Sequence, residues 1–181
     1  RPACDWALPE IYTQSSTADI ATLRNVFSIP FSDSATDPKR FAQLVDKYLT
    51  PAMLKAIAAE YRKGRNLVVG TTHLDAQRPM LWNMGLLATI ETPQARALFR
   101  EVLLASTAVP AVFPPVYVDV EIDGENYDEM HVDGAVMSQL VVFPPGVDSQ
   151  QLLEQLGISQ RRKLYVIRNG RLHPEWEQVE P

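Results

Sequence analysis

Val116-Tyr-Val-Asp-Val-Glu-Ile-Asp-Gly-Glu-Asn-Tyr-Asp-Glu-Met-His-Val-Asp-Gly-Ala135 is the stretch on which the fold turns. Val116, Val118, Val120 and Ile122 alternate with Tyr117, Asp119 and Glu121, the two-residue period of a half-buried strand. Asp123-Gly124 is a turn signal, and Tyr127–Val132 is expected to return as the second strand of a hairpin. A second Asp-Gly follows at once, in Asp133-Gly134-Ala135. As a dipeptide it reads as another turn. Its place after a buried strand adds a different reading: a carboxylate presented at a strand end, where ligands of α/β sheets collect. Gly134 would let another backbone or a substrate come close.

Upstream, Phe41, Leu44, Val45 and Tyr48 recur at the spacing of one helical face. Thr50-Pro51 restarts a second helix as N-cap and first residue, striped by Leu54, Ile57, Ala58 and Tyr61 and stopped at Gly64. Residues 67–72 are a short apolar run, expected as a buried strand, with a turn at 75–78 and a second strand at 79–84. Thr92-Pro93 caps a further helix that turns Ala95, Leu98, Phe99, Val102 and Leu103 inward. Residues 1–29 read as a mixed helical segment and 28–38 as loop. Beyond the hairpin, 140–143 and 163–168 read as strands, with a helix marked by Leu152, Leu153 and Leu156 between them. Strands and helices alternate, so the class is α/β, with helices packed on both faces of one mixed sheet.

Composition narrows the function. A net charge of −5 argues against nucleic acid, since phosphate contacts need a basic patch. The single cysteine, Cys4, permits neither an internal disulfide nor a cysteine-based zinc site. No apolar run is long enough to span a bilayer. The start has no initiator Met and no apolar signal region, so the chain is expected to begin inside a longer protein.

Two other constellations bear weight. His73-Leu-Asp75 and His131-Val-Asp133 each place two ligand types on one strand face, a conceivable divalent-metal set, against which stands simple packing. Ala105-Ser-Thr-Ala-Val-Pro-Ala-Val-Phe-Pro-Pro115 is a rigid apolar bend, and its Ser106 and Thr107 read as helix-end residues rather than nucleophiles. No Gly-x-Ser-x-Gly elbow, dinucleotide fingerprint or P-loop is present.

Leu104–Pro115 followed by His131-Val-Asp-Gly-Ala135 resembles the second half of patatin-like phospholipases, most closely their bacterial, lipoprotein-type branch. Val69-Gly-Thr-Thr-His-Leu-Asp-Ala76, Trp82-Asn-Met-Gly85, Tyr127-Asp-Glu-Met-His131 and Tyr165-Val-Ile-Arg-Asn169 extend the likeness over nearly the whole chain.

The resemblance implies a three-layer fold with a mixed, mainly parallel sheet flanked by helices. Residues 1–181 would be the C-terminal part of one catalytic domain, incomplete on its N-terminal side. It implies lipid acyl ester hydrolysis by a Ser–Asp dyad, without metal or cofactor. Asp133 falls on the aspartate of the dyad, supported by Gly134 and Ala135. The serine elbow and the glycine-rich oxyanion loop match nothing here. Ile11-Tyr-Thr-Gln-Ser-Ser resembles the segment after the serine-bearing helix, so the missing parts are expected upstream, and the chain alone is expected to be inactive.

Expected partners are a lipid or other acyl ester, never nucleic acid. The resemblance also admits peripheral membrane contact and self-association through the incomplete sheet. It points to the bacterial envelope, although the residues themselves leave the compartment open. A dyad is chemically coherent. A serine hydroxyl needs a positioned base, and an ordinary carboxylate, with a pKa near 4, becomes a better one when burial disfavours its charge. The competing readings are a non-catalytic α/β lipid-binding or interaction domain, and a metallohydrolase using His73, Asp75, His131 and Asp133.

Overall fold

A computed structural model describes Thr13, Thr22, Leu23, Ser34, residues 36–137, Lys163 and residues 165–167. The chain divides into two compact units, Arg1–Ser138 and Gln139–Pro181, and every described helix and strand belongs to the first. Its elements run β1 (Thr22–Leu23), β2 (Thr36–Asp37), α1 (Lys39–Tyr48), α2 (Pro51–Arg62), β3 (Val68–His73), β4 (Arg78–Asn83), α3 (Met84–Leu87), α4 (Pro93–Ala105), β5 (Val116–Ile122) and β6 (Glu125–Asp133). A 3₁₀ turn, Gly134–Val136, follows.

The helices start where hydroxyl caps precede proline. Thr50 Oγ1 accepts the Met53 N–H at 3.2 Å and Thr92 Oγ1 accepts that of Ala95 at 3.2 Å, each with proline at the first helical position. Such a cap contributes about 1 kcal/mol, and proline there forfeits only a donor that had no helical partner. Beyond α2 the chain turns at Gly64, whose φ of +87° lies in the left-handed region. Leu49, Ala58, Met84, Ala88, Phe99 and Val102, drawn from the four helices and their ends, form one buried cluster. Val69 of β3 and Trp82 of β4 pack against it, so the sheet face that carries them meets the helices.

The four-stranded sheet has the order β4-β3-β6-β5. Every pairing in it is antiparallel, so the mainly parallel sheet expected is not seen among the described residues. The reason is local. Tight turns join β3 to β4 and β5 to β6, and a strand returning through a short turn can only run antiparallel. Asp123 and Gly124 both adopt positive φ, +55° and +84°, as a two-residue hairpin turn requires. The long-range step is the pairing of β3 with β6, which sets Thr71 opposite Asp133, Thr72 opposite Val132 and His73 opposite His131.

Of the strand expected at 163–168, the described residues, Lys163 and 165–167, are outside any strand, and Ile167 is 94% exposed. The strand expected at 140–143 and the helix at 152–156 lie outside the described residues, as does most of 1–29. There, Thr13 is helical and Thr22–Leu23 pairs with β2. No helix among the described residues is long and apolar enough to cross a membrane.

Candidate active site at the end of β6

β6 ends at Asp133, and the chain leaves the sheet there because three bonds hold it. The Asp133 N–H donates to the Ala108 carbonyl at 3.0 Å. Its carbonyl accepts the Thr72 hydroxyl at 3.0 Å. Its carboxylate Oδ1 accepts the Ala135 N–H at 2.7 Å, capping the 3₁₀ turn. Oδ2 has no partner among the described residues, and the residue is half-buried. One carboxylate oxygen is thus fixed and the other is open to a ligand.

Gly134 is needed for space rather than for conformation. A Cβ on it would lie 2.7 Å from the Gly70 carbonyl oxygen and 2.8 Å from its carbon, closer than real Cβ atoms come. The backbone after Asp133 therefore lies directly on β3. Ala135 supplies its N–H to the aspartate and is exposed.

The apolar bend anchors the same point from the other side. Ser106 Oγ donates to the Leu103 carbonyl at 2.9 Å and Thr107 Oγ1 to that of Leu104 at 3.0 Å, so both hydroxyls close the end of α4. Ala111 holds a φ of +68°, uncommon for a residue with a Cβ. The bend places the Ala108 carbonyl on Asp133. Val109 and Val112, beside it, and Val136 and Met137, after the 3₁₀ turn, are all exposed, between 40% and 49%. Both segments that meet at Asp133 thus carry exposed apolar side chains.

His73 and His131 do come together, their ring centroids 5.0 Å apart, but neither Asp75 nor Asp133 completes a metal set with them. Asp75 Oδ2 accepts the Met130 N–H at 2.9 Å. The third member is Glu129, which the sequence reading missed. His73 Nε2 lies 3.4 Å from its Oε1 and His131 Nε2 3.2 Å from its Oε2. Glu129-x-His131-x-Asp133 has the two-residue period of one strand face, and that spacing was the available signal.

These donor atoms converge within 4.8 Å, so a metal has to be weighed. The hydrogen bonds weigh against it. The Ala76 N–H donates to His73 Nδ1 at 3.1 Å, which leaves the ring proton on Nε2 facing Glu129. Trp82 Nε1–H donates to Thr71 Oγ1 at 2.8 Å, and that hydroxyl lies 3.0 Å from His131 Nδ1. In the His131 tautomer that accepts the Thr71 hydroxyl proton at Nδ1, both Nε2 positions carry protons aimed at one carboxylate. A metal there would need those protons removed and His73 Nδ1 protonated against a backbone N–H. The arrangement sets the Glu129 carboxylate between two imidazoles.

Burial pushes the His131 pKa below the ordinary histidine value, with Glu129 acting in the opposite sense and His73 with burial. The unfolded chain therefore takes up this proton at a higher pH than the folded one. Stability is full above the unfolded pKa of about 6.5 and falls as acid takes the pH below it, until the folded pKa is passed. The melting temperature is expected to drop between pH 7.5 and 5.5, by roughly 2–4 °C per kcal/mol lost. His131→Phe should be less stable throughout but flatter across that window. An equally steep profile in the variant would assign the proton elsewhere.

The end of β6 thus presents a half-buried carboxylate with one free oxygen between two segments that carry exposed apolar side chains. The family model for patatin-like phospholipase matches residues 3–144, and the chain belongs to that family of lipid acyl hydrolases. No curated protein matches the chain.

Proposed function

We propose that this chain carries the base of a Ser–Asp dyad in a lipid acyl ester hydrolase, with Asp133 as the base. Residues 1–181 are then the C-terminal part of one catalytic domain, and the serine and oxyanion donors come from a segment outside them. The observation that carries this is the free Oδ2 of Asp133 beside a pinned Oδ1. In the reaction the serine oxygen bonds to the acyl carbon while its proton passes to that carboxylate. The carboxylic acid then returns the proton to the leaving alkoxide. Water repeats the sequence on the acyl-enzyme and releases the fatty acid. Each oxyanion donor supplies about 3–4 kcal/mol of the barrier reduction, and without the serine there is no nucleophile to form the acyl-enzyme, so the 181-residue chain alone is inactive.

Val109, Val112, Val136 and Met137 suit an acyl chain or a lipid surface. Leu67 and Val68, 42% and 52% exposed, suit contact with the missing segment. Val68–Gly70 has a strand neighbour on the β4 side alone among the described residues, because β6 stops opposite Thr71.

A short-chain chromogenic ester tests the proposal. The 181-residue chain is expected to release no product above buffer. The chain extended upstream through a Gly-x-Ser-x-Gly segment is expected to turn over, and to keep its rate after dialysis against EDTA. Turnover by the 181-residue chain that survives repurification and disappears on replacing Ser106 would refute the assignment. So would EDTA inactivation reversed by zinc.

A further inference from the structure

Thr72 is 1% exposed and sits on β3 opposite Val132, one residue short of Asp133 along β6. The side chain is buried, and its hydroxyl donates to the Asp133 carbonyl at 3.0 Å. Thr71 and Thr72 are neighbours with opposite duties, because successive strand residues point to opposite faces. Thr71 serves the His131 and Trp82 network on one face, and Thr72 reaches Asp133 from the other.

That carbonyl belongs to the peptide plane between Asp133 and Gly134. The orientation of this plane sets the course of Gly134, and through it where the Ala135 N–H, one peptide further on, falls. The Ala135 N–H meets Oδ1 at 2.7 Å only when the plane is turned as it is here, with Asp133 at φ −47° and ψ 131°. At the other end the residue is fixed by the bond to Ala108. Ala108 and Thr72 thus hold the two main-chain ends of one residue. Of the two contacts, the one from Thr72 is made by a side chain and can be removed without touching the backbone.

We propose that Thr72 is a positioning residue for the acyl transfer, its hydroxyl fixing the peptide plane that aims the free oxygen of the Asp133 carboxylate. The inference rests on Asp133 being the base. Thr72 touches neither substrate nor the transferred proton and acts through Asp133. Val has nearly the shape of Thr but offers no donor. Losing the donor frees the plane to rotate, and misplacing a reacting group by about 1 Å can cost 10²-fold in rate.

The test uses the protein extended to include its nucleophile, with Thr72→Val, Thr72→Ser, Asp133→Asn and the Thr72→Val/Asp133→Asn pair assayed side by side. Thr72→Val should lower kcat by about 10–100-fold with KM little changed. Thr72→Ser, which keeps the hydroxyl, should restore kcat to within about threefold of the parent, an allowance drawn from the same positional argument. The pair should be no slower than Asp133→Asn alone, since residues acting as one unit do not add.

Full kcat in Thr72→Val beside an inactive Asp133→Asn overturns the positioning role and leaves the dyad standing. Full kcat in Asp133→Asn overturns both. A pair slower than Asp133→Asn by the whole Thr72→Val factor shows that Thr72 acts independently, which also overturns the proposal. Should Thr72→Val fail to fold, Thr72→Ser decides: a tenfold or greater loss of kcat there, in a protein with the parent's melting temperature, overturns it.

Discussion

Asp133→Asn is expected to lower kcat by about 10²–10⁴-fold, the contribution of a positioned general base, in the protein that carries its nucleophile. The melting temperature should barely move. Asparagine keeps an oxygen at the Oδ1 position, so the bond from the Ala135 N–H survives. The Asp133 main-chain bonds to Ala108 and Thr72 do not involve the replaced atoms. What is lost is the anionic oxygen that would take the serine proton. KM should change little if Asp133 works mainly in the transition state. Asp123→Asn is the matched control, with the same chemical change ten positions earlier in the chain. Asp123 sits exposed at φ +55° in the β5–β6 turn, and Asn-Gly suits such a turn as well as Asp-Gly does. Equal activity in both variants would move the base away from Asp133. Equal loss in both would show that the hairpin, rather than the carboxylate, was being measured.

The contrast between those two Asp-Gly pairs shows what the sequence could carry. The first was legible as a turn because strand alternation on both sides of it is local. The helix starts at Thr50 and Thr92 were legible for the same reason, since each cap and its partner lie within three residues. The strand-end position of Asp133 followed from the same alternation. The pairing that joins the two hairpins into one sheet was not legible. Seeing that β3 lies against β6 requires contacts between residues about sixty positions apart, and no short pattern records them. Glu129 was missed on this account. In the sequence it is one acidic residue in Tyr-Asp-Glu-Met, and only the pairing of His73 with His131 brings both rings to its carboxylate. Gly134 was read correctly as a site of close approach, but its partner, the Gly70 peptide, was out of reach for the same reason. Tyr165, Val166 and Ile167 were read as strand from hydrophobicity alone, and these three are exposed.

Gly134→Ala should be the most damaging single methyl in this region, and Gly70→Ala, across the same contact, one of the mildest. The two glycines face each other, yet the space belongs to one of them. A methyl on Gly134 would meet the Gly70 carbonyl oxygen at 2.7 Å, its carbon at 2.8 Å and the Thr71 nitrogen at 3.3 Å. All three are backbone atoms of β3, held by β4 at Gly70 and by both β4 and β6 at Thr71, so no side chain can swing aside to relieve the overlap. A methyl on Gly70 would meet Leu81 Cδ2 at 3.8 Å and the Met80 carbonyl oxygen at 3.9 Å, which are ordinary contacts. Overpacking of the first kind costs about 1–3 kcal/mol. Gly70→Ala should be near neutral or slightly stabilising, since glycine within a strand weakens it by roughly 0.5–1 kcal/mol relative to alanine. The strain in Gly134→Ala can be relieved only by lifting the 133–134 peptide off β3, which carries Asp133 away from the Thr72 hydroxyl. Stability and rate should therefore fall together in Gly134→Ala, with kcat reduced by up to about 10²-fold for a shift near 1 Å. Chemical denaturation and steady-state kinetics on both variants check this in one experiment. If Gly134→Ala matches the parent in both measurements, the backbone after Asp133 does not rest on β3. If it loses stability at full kcat, the close approach supports the fold without placing the carboxylate.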